Sequence, residues 1–278
     1  MLLGKKVTPM IKPRYKSLIP YVIAAGALIF VAIFAPFLTP YDPYLQDLEG
    51  ALTPPNLQNL LGTDRYGRDV LSRVIMGSQV TICAALSLLT VITVTGSLIG
   101  SICGLKGGRV DTILMRTSDV FLAFPQMVFA IAAAGALGGG LFNAALALAL
   151  IGWTKYARIS RALTLTIRKM PYMDAAKMAG TNSFGMLIHH VLPNIAGPVL
   201  VTAALDLGTI IMELAGLSFL GLGAMPPTPE WGAMMNNGRS MLQTASWVVL
   251  APGAAIFITV AIFNLLGDKL RDVIGIKN

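Results

Sequence analysis

Long apolar runs separated by short polar stretches constrain this chain more than any other feature. Six such runs approach the length of about 20 residues that a helix needs to cross the hydrocarbon core of a bilayer. They are Leu18–Leu38, Val80–Leu105, Val120–Leu137, Leu141–Trp153, Ile195–Leu222 and Trp247–Leu266. Charged residues make up only 12% of the chain, whereas soluble domains carry about 25%. The chain is therefore predicted to be an all-α membrane protein with six transmembrane helices.

The boundaries of these runs carry further local predictions. Only Gly138, Gly139 and Gly140 separate the third run from the fourth, which predicts a tight helical hairpin. The fifth run is long enough either to tilt or to break at Gly216. The first run exceeds the length of about 7–15 residues of a signal-peptide core, so we expect it to be an uncleaved span.

The distribution of basic residues predicts the orientation. Six crossings place both termini on one side, together with the long polar stretch 155–192, and that side holds 17 of the 21 Lys and Arg residues. Basic residues accumulate in cytoplasmic loops, so we expect the N and C termini to be cytoplasmic. The net charge of +8 has the same explanation. Because no basic run is interleaved with aromatic residues, nucleic acid is not expected as a partner.

The polar stretch between the fourth and fifth runs predicts two short helices. Pro171 suits the first position of a helix, and Gly180 suits the left-handed residue that ends one. Asn182 or Ser183 can cap the next helix, which Pro193 is expected to end. The small side chains of the first helix would let another backbone approach closely. Docking of a partner and a merely solvated connector are equally compatible with these local rules.

The same stretch resembles the "EAA" loop of ABC importer permeases. That loop has the pattern E-A-A-x3-G-x9-I-x-L-P, and this sequence reads D-A-A-x3-G-x9-H-x-L-P. The matching positions are Ala175, Ala176, Gly180, Leu192 and Pro193. Asp174 replaces the usual Glu with a shorter acid, and His190 replaces an apolar residue. The resemblance implies that Asp174 and the matching residues form a coupling loop that docks in a groove of an ATPase subunit.

Three more segments resemble the dipeptide, oligopeptide and nickel permeases among these importers, in particular their C-type permease subunit. They are L-G-T-D-R-Y-G-R-D-V-L-S-R over 61–73, L-S-F-L-G-L-G with P-P-T-P-E-W-G over 217–232, and F-N-L-L-G-D-K-L-R-D over 263–272. The similarity extends from about residue 18 to residue 274. It implies the type I ABC importer (MetI-like) permease fold and a location in the bacterial inner membrane.

The resemblance also implies a subunit of a larger assembly. Its expected partners are a second homologous permease subunit in a heterodimer, two cytoplasmic ATPase subunits, an extracytoplasmic substrate-binding protein and the lipid bilayer. ATP and Mg²⁺ would bind in the ATPase subunits, because this chain has no Walker motif. No enzyme activity, catalytic residue, cofactor or metal site is expected in this chain. It would form half of a pathway for di- or oligopeptides, or for nickel or metallophore complexes.

We expect three parts along the chain. Residues 1–77 comprise the basic tail, the first span and an outer loop. Residues 78–269 form a five-helix permease core that includes the cytoplasmic coupling loop 155–193. Residues 270–278 form a cytoplasmic tail.

Asp206 and Glu213 are the only acids inside the predicted runs. They are seven residues apart and therefore share one face of a helix. Acids inside a membrane are costly and often functional, so one hypothesis places both on the translocation pathway. The alternative is a hydrogen bond between helices or subunits. A competing function, an ion-gradient-driven secondary transporter, would use the same two acids.

Two groups of residues on the outer side are candidates for contacts. Alternating charges at 64–69 favour either a contact with a partner protein or an interfacial helix whose ions pair locally. Glu230 and Trp231 lie in the 224–246 loop. The family resemblance implies an outer gate or a binding-protein contact there.

Overall fold

The structure is a computed structural model that describes residues 17–274. The predicted basic tail before residue 17 and the last residues, 275–278, lie outside the described residues. In the described part of the chain the regular structure is helical, and one isolated antiparallel bridge joins Thr63 to Asp69. The α-helices are α1 (Ile19–Leu38), α2 (Val70–Lys106), α3 (Gly108–Leu122), α4 (Gln126–Ala136), α5 (Leu141–Ile167), α6 (Pro171–Met178), α7 (Ser183–Gly185), α8 (Leu192–Phe219), α9 (Trp231–Gly238) and α10 (Trp247–Ile274).

Four helical segments between residues 17 and 274 are long and apolar enough to cross a membrane. They are Ile19–Leu38, Val70–Lys106, Ser183–Phe219 and Trp247–Val273. Helices α3 and α4 would make a fifth span if the bent pair is one crossing. The chain is thus an all-helical, multi-pass protein, while the predicted number of six spans is not confirmed.

The third apolar run is not one straight helix. It includes the end of α3 and all of α4, which meet at a bend of 88°. Pro125 stands immediately before α4 and lacks the amide hydrogen that would continue α3. The predicted hairpin that follows is confirmed, because Gly138, Gly139 and Gly140 have φ values of 86°, 72° and 95° between α4 and α5. Only glycine adopts three such angles in succession without strain.

The fourth apolar run is the first half of a longer helix. Helix α5 continues to Ile167, so Lys155, Arg158 and Arg161 lie on this helix and not in the loop where the sequence pattern put them. Each of these three cations forms an ion pair with an acid of another helix. These charges explain why α5 is too polar to count as a span by composition. The coupling loop accordingly begins near Arg168.

A seam of glycines joins α2 and α5, which run parallel. Gly96, Gly100 and Gly104 follow at intervals of four residues and share one face of α2. A Cβ atom on Gly100 would lie 2.1 Å from the carbonyl oxygen of Ala157, and one on Gly96 would lie 2.4 Å from that of Trp153. The two backbones are therefore in direct contact, as in helix pairs of membrane proteins that meet through small residues.

Helices α8 and α10 run antiparallel and complete the core. Gly208 faces Asn264, and Gly267 faces Leu205. Helix α8 is continuous through Gly216, so the alternative of a break there is wrong. The short helix α9 packs against α2, α8 and α10, where it contacts the start of α2 and the end of α8.

Candidate functional site

The coupling loop has the helix, turn and cap that its sequence predicts. Pro171 occupies the first turn of α6, and Gly180 has a φ of +84° directly after that helix. The side chain of Asn182 then accepts a hydrogen bond from the backbone nitrogen of Gly185 at 2.7 Å. These three predictions are confirmed because each depends only on residues next to it in sequence.

One side of α6 is anchored and the other is exposed. Met173 is only 2% exposed and fixes the helix to the core. Tyr172 lies against His190, with ring centroids 6.3 Å apart. Asp174, Ala175 and Gly180 are exposed, as are the apolar side chains of Met170, Met178 and Phe184. Several large apolar side chains exposed within one short segment favour an interaction surface on this loop.

Pro193 does not end the second helix, contrary to the sequence prediction. Leu192 has α-helical angles (φ −55°, ψ −44°), and the chain continues into α8. The reason is a π-helical turn over Met186–Val191, in which the amide of Leu192 bonds to Leu187, five residues earlier. A π-turn is wider than an α-turn. It accommodates the proline ring that would otherwise clash with a carbonyl four residues before it.

A cavity of about 380 Å³ is lined by residues of α2, α4, α5 and α8 and by the last residue of α3. Asp206 and Glu213 both line it, so the prediction that they share a face is confirmed. Lys155 and Tyr156 bind Asp206, at 2.7 Å from Nζ to Oδ1 and 2.9 Å from the hydroxyl to Oδ2. Helices α5 and α8 thus meet through a polar contact near the middle of both.

Glu213 is placed differently from Asp206. The amide nitrogen of Gln126 on α4 lies 3.0 Å from each of its carboxylate oxygens. In residues 17–274 no Lys, Arg or His lies within ion-pair distance of Glu213, and Lys155 on the same wall is bound to Asp206. Arg158, also on the wall, pairs with Asp119 of α3. In the described residues the carboxylate of Glu213 therefore lines the cavity without forming an ion pair within 4 Å, whereas that of Asp206 is paired.

The sequence did not single out the partners of these acids. Gln126 stands next to Pro125 at the break between α3 and α4. Lys155 and Tyr156 lie just beyond the fourth apolar run. Two signals for these partners were available in the sequence. One is a polar residue at a helix break, and the other is a lysine just after an apolar run.

The loop between α1 and α2 is held by ions that pair locally, but not on a helix. Asp64 binds Arg68 at 2.7 Å and lies 3.6 Å from Arg73. The side chains of all three are less than 10% exposed. Asp69 caps α2 by accepting from the amide and the hydroxyl of Ser72, both at 2.7 Å. The interfacial helix that the alternating charges suggested is absent from 64–69, where the structure has a turn stabilised by buried charges.

Arg73, near the start of α2, connects this helix to two loops. Its guanidinium donates to the carbonyl of Pro43 at 2.7 Å and to that of Pro227 at 3.3 Å. Trp247, at the start of α10, donates to the carbonyl of Thr63 at 3.1 Å. The 61–73 motif thus has a clear structural role, which is to fasten the loop after α1 to the 224–246 loop.

Glu230 and Trp231 are buried, with 1% and 2% exposure. Glu230 caps α9 by accepting from the amides of Gly232 and Ala233 and from Thr81 of α2. Burial raises the pKa of Glu230 above its ordinary value, although these donors oppose that shift. Trp231 donates to the carbonyl of Val74 at 2.9 Å. Both residues fix α9 to α2, and their role as a gate or a binding-protein contact stays a prediction.

Two family models match the chain. Residues 96–275 match the binding-protein-dependent transport system inner membrane component. Residues 22–55 match the N-terminal transmembrane domain of oligopeptide transport permease C.

Curated relatives match over nearly the whole chain. A probable D,D-dipeptide transport system permease protein of Escherichia coli (strain K12) is 41% identical and covers 99% of this chain and 92% of its own length. A di/tripeptide transport system permease protein of Pseudomonas aeruginosa (strain UCBPP-PA14) is 39% identical and covers 90% and 84%. A nickel transport system permease protein of E. coli (strain K12) is 38% identical and covers 90% of each chain.

A solved structure, described as a crystal structure of an amino acid ABC transporter with histidines, has the same fold. It superposes with a TM-score of 0.52 at 15% identity and covers 71% of this chain and 92% of the other. The family match does not support the alternative of an ion-gradient-driven secondary transporter. With the helical fold, the coupling loop and these matches, the chain belongs to the binding-protein-dependent ABC transport permeases, as a component of the inner membrane.

Proposed function

We propose that this chain is one of two permease subunits of an ABC importer for short peptides. In this proposal it pairs with a homologous permease, two cytoplasmic ATPase subunits bind and hydrolyse ATP with Mg²⁺, and an extracytoplasmic binding protein delivers the substrate. Both termini and the coupling loop face the cytoplasm. Six crossings would then include the bent pair α3–α4 and the polar helix α5.

The coupling surface supports the ATPase partners. Ala175 and Gly180 are exposed, and a Cβ atom placed on Gly180 would meet nothing within 4 Å. Met178, with 83% exposure, stands beside them. Small residues beside an exposed apolar side chain allow a groove of another protein to approach closely. The loop connects directly to α8, so movement of a partner would reach the cavity wall.

The observation that carries the peptide proposal is Glu213 in the cavity. A short peptide at neutral pH carries an ammonium group at its N terminus, and a carboxylate that is not held in an ion pair is suited to bind it. The whole-length match to a dipeptide permease supports the same substrate class. In this proposal Asp206 and Lys155 neutralise each other and hold α5 to α8, while Glu213 meets the substrate. A nickel complex, the cargo named for another relative, is the main competing substrate.

The test is uptake of a radiolabelled dipeptide by the complete complex in proteoliposomes. Glu213→Gln keeps the size and removes the charge, and a charge-assisted hydrogen bond is worth about 1.5–3 kcal/mol. We therefore expect uptake to fall about tenfold or more, while Asp272→Asn, an exposed acid on α10, leaves it unchanged.

The outcomes separate the parts of the proposal. Normal dipeptide uptake by Glu213→Gln would show that Glu213 is not a pathway residue. If the wild-type complex takes up a nickel chelate and no dipeptide, the substrate class is wrong and the importer assignment stands. Purification of the tagged chain without a second permease and ATPase subunits, with transport retained, would overturn the importer itself.

A further inference from the structure

A second cavity, of about 490 Å³, lies where the membrane helices meet the coupling loop. Its walls come from the end of α2, from the residue that ends α5, and from α6 and α7. Three cations line it, namely Lys106, Arg168 and Lys177, with Asp174 as the only acid among the lining residues. The wall is thus strongly basic.

These three cations differ from the cations of α5. Lys155, Arg158 and Arg161 each pair with an acid. For the cavity cations, no ion pair within 4 Å exists in residues 17–274. The side-chain bond of Arg168 is a long one, 3.4 Å from Nη1 to the carbonyl of Gly104. The positive charge of this cavity is therefore available to an anion from outside the chain.

An apolar pocket of about 250 Å³ adjoins the basic cavity. The two share Leu105, Lys106 and Ser183 in their walls. Ile102, Phe184 and Leu187 complete the apolar pocket, and Phe184 is 72% exposed. A ligand that fills both spaces needs an anionic group and an apolar chain joined to each other.

The position along α2 fits such a ligand. Leu105 ends the apolar stretch of this helix, and Lys106 is its first charged residue after Arg73. The boundary between hydrocarbon and headgroup therefore falls between the apolar pocket and the basic cavity. Basic pockets between membrane helices on the cytoplasmic side bind anionic headgroups.

We propose that this double pocket binds one anionic phospholipid. Its phosphate contacts Lys106, Arg168 and Lys177, and an acyl chain lies along Ile102, Leu105 and Phe184. The bound lipid thus connects α2 to the two short helices of the coupling loop, α6 and α7. Membrane composition would then influence how firmly the loop is held.

The test measures retained lipid in the complete complex, purified from nanodiscs of phosphatidylcholine containing 20% phosphatidylglycerol. Native mass spectrometry counts the phosphatidylglycerol molecules that remain bound as the detergent concentration rises. Each basic residue near an anionic lipid contributes about fivefold in affinity. The double substitution Lys106→Gln with Lys177→Gln should thus weaken retention about 30-fold. The matched control is Arg109→Gln with Lys169→Gln, two exposed cations near the same end that do not line the cavity.

A second pair of variants separates a lipid from a soluble anion. Phe184→Ala should lower phosphatidylglycerol retention, whereas Met178→Ala, which is also exposed but lies outside both pockets, should not. Displacement of the lipid by millimolar inorganic phosphate, with no effect of Phe184→Ala, would show a soluble-anion site instead. Equal retention by the wild type and by Lys106→Gln with Lys177→Gln would overturn the proposal. A structure of the complex in which an acidic residue of an ATPase subunit occupies the basic cavity would also overturn the proposal.

Discussion

The glycine seam between α2 and α5 gives the sharpest prediction about stability. Gly100→Ala adds one methyl group where a Cβ atom would lie 2.1 Å from the carbonyl oxygen of Ala157. Carbon and oxygen atoms of adjacent helices approach no closer than about 3.3 Å. The backbones must therefore separate by about 1.2 Å along that contact.

The energetic cost follows from that separation. A gap of 0.5–1 Å removes about a quarter to a half of the dispersion energy of a contact. Overpacking of a well-packed core costs about 1–3 kcal/mol. We expect Gly100→Ala to lower the free energy of unfolding by about 2 kcal/mol, within that range. The neighbouring contacts of Gly96 with Trp153 belong to the same seam and would loosen together with it.

The assay is unfolding of the purified chain in mixed micelles as the mole fraction of SDS rises, followed by tryptophan fluorescence. Gly26→Ala on α1 is the matched control, because a Cβ atom there meets nothing within 4 Å. It should leave the transition unchanged or move it to slightly higher SDS, since alanine favours a helix over glycine. If Gly100→Ala and Gly26→Ala unfold at the same SDS fraction, the two backbones are not in contact and the reasoning fails.

Three further predictions concern Glu230, Arg73 and the ion pair between Lys155 and Asp206. Because burial raises the pKa of Glu230, the wild type should gain stability relative to Glu230→Gln below pH 4.5, the ordinary value for this acid. That advantage should be lost as the pH rises through the raised pKa; a thermal-melting difference that does not change between pH 4 and pH 8 would contradict this. Arg73→Lys should increase protease cleavage in the 224–246 loop, because lysine cannot reach the carbonyls of Pro43 and Pro227 together; a cleavage rate equal to that of the wild type would refute the bridging role. Lys155→Met and Asp206→Asn should be non-additive in SDS unfolding, and additive effects would show that the two charges do not interact in the complex.

Features that depend on neighbouring residues were predictable from the sequence. The turn at Gly180, the cap at Asn182 and the glycine hairpin at 138–140 follow from the backbone preferences of those residues alone. Asp206 and Glu213 were placed on one face because helical spacing is regular. The motif at 61–73 was found, but its role was not, since Arg73 contacts residues distant in sequence.

Features that depend on contacts between residues distant in sequence could not be predicted. The cations in the polar half of α5 pair with acids on α3 and α8, and no local rule shows which acids those are. Pro193 fits within a helix only because the preceding turn is widened. Glu230 was singled out only through the family resemblance, and its burial, with three donors of the chain satisfying it, was not foreseen. These outcomes depend on tertiary contacts.

The π-helical turn at Met186–Val191 also sets the orientation of the coupling loop around the axis of α8. It contains one residue more per turn than an α-helix, and each residue of an α-helix advances the chain by about 100° around the axis and 1.5 Å along it. If the same residues formed α-helical turns instead, the extra residue would no longer be absorbed within one turn. The coupling loop would then rotate by about 100° around the axis of α8 and shift by about 1.5 Å along it. The widened turn therefore fixes the direction in which Ala175 and Gly180 face.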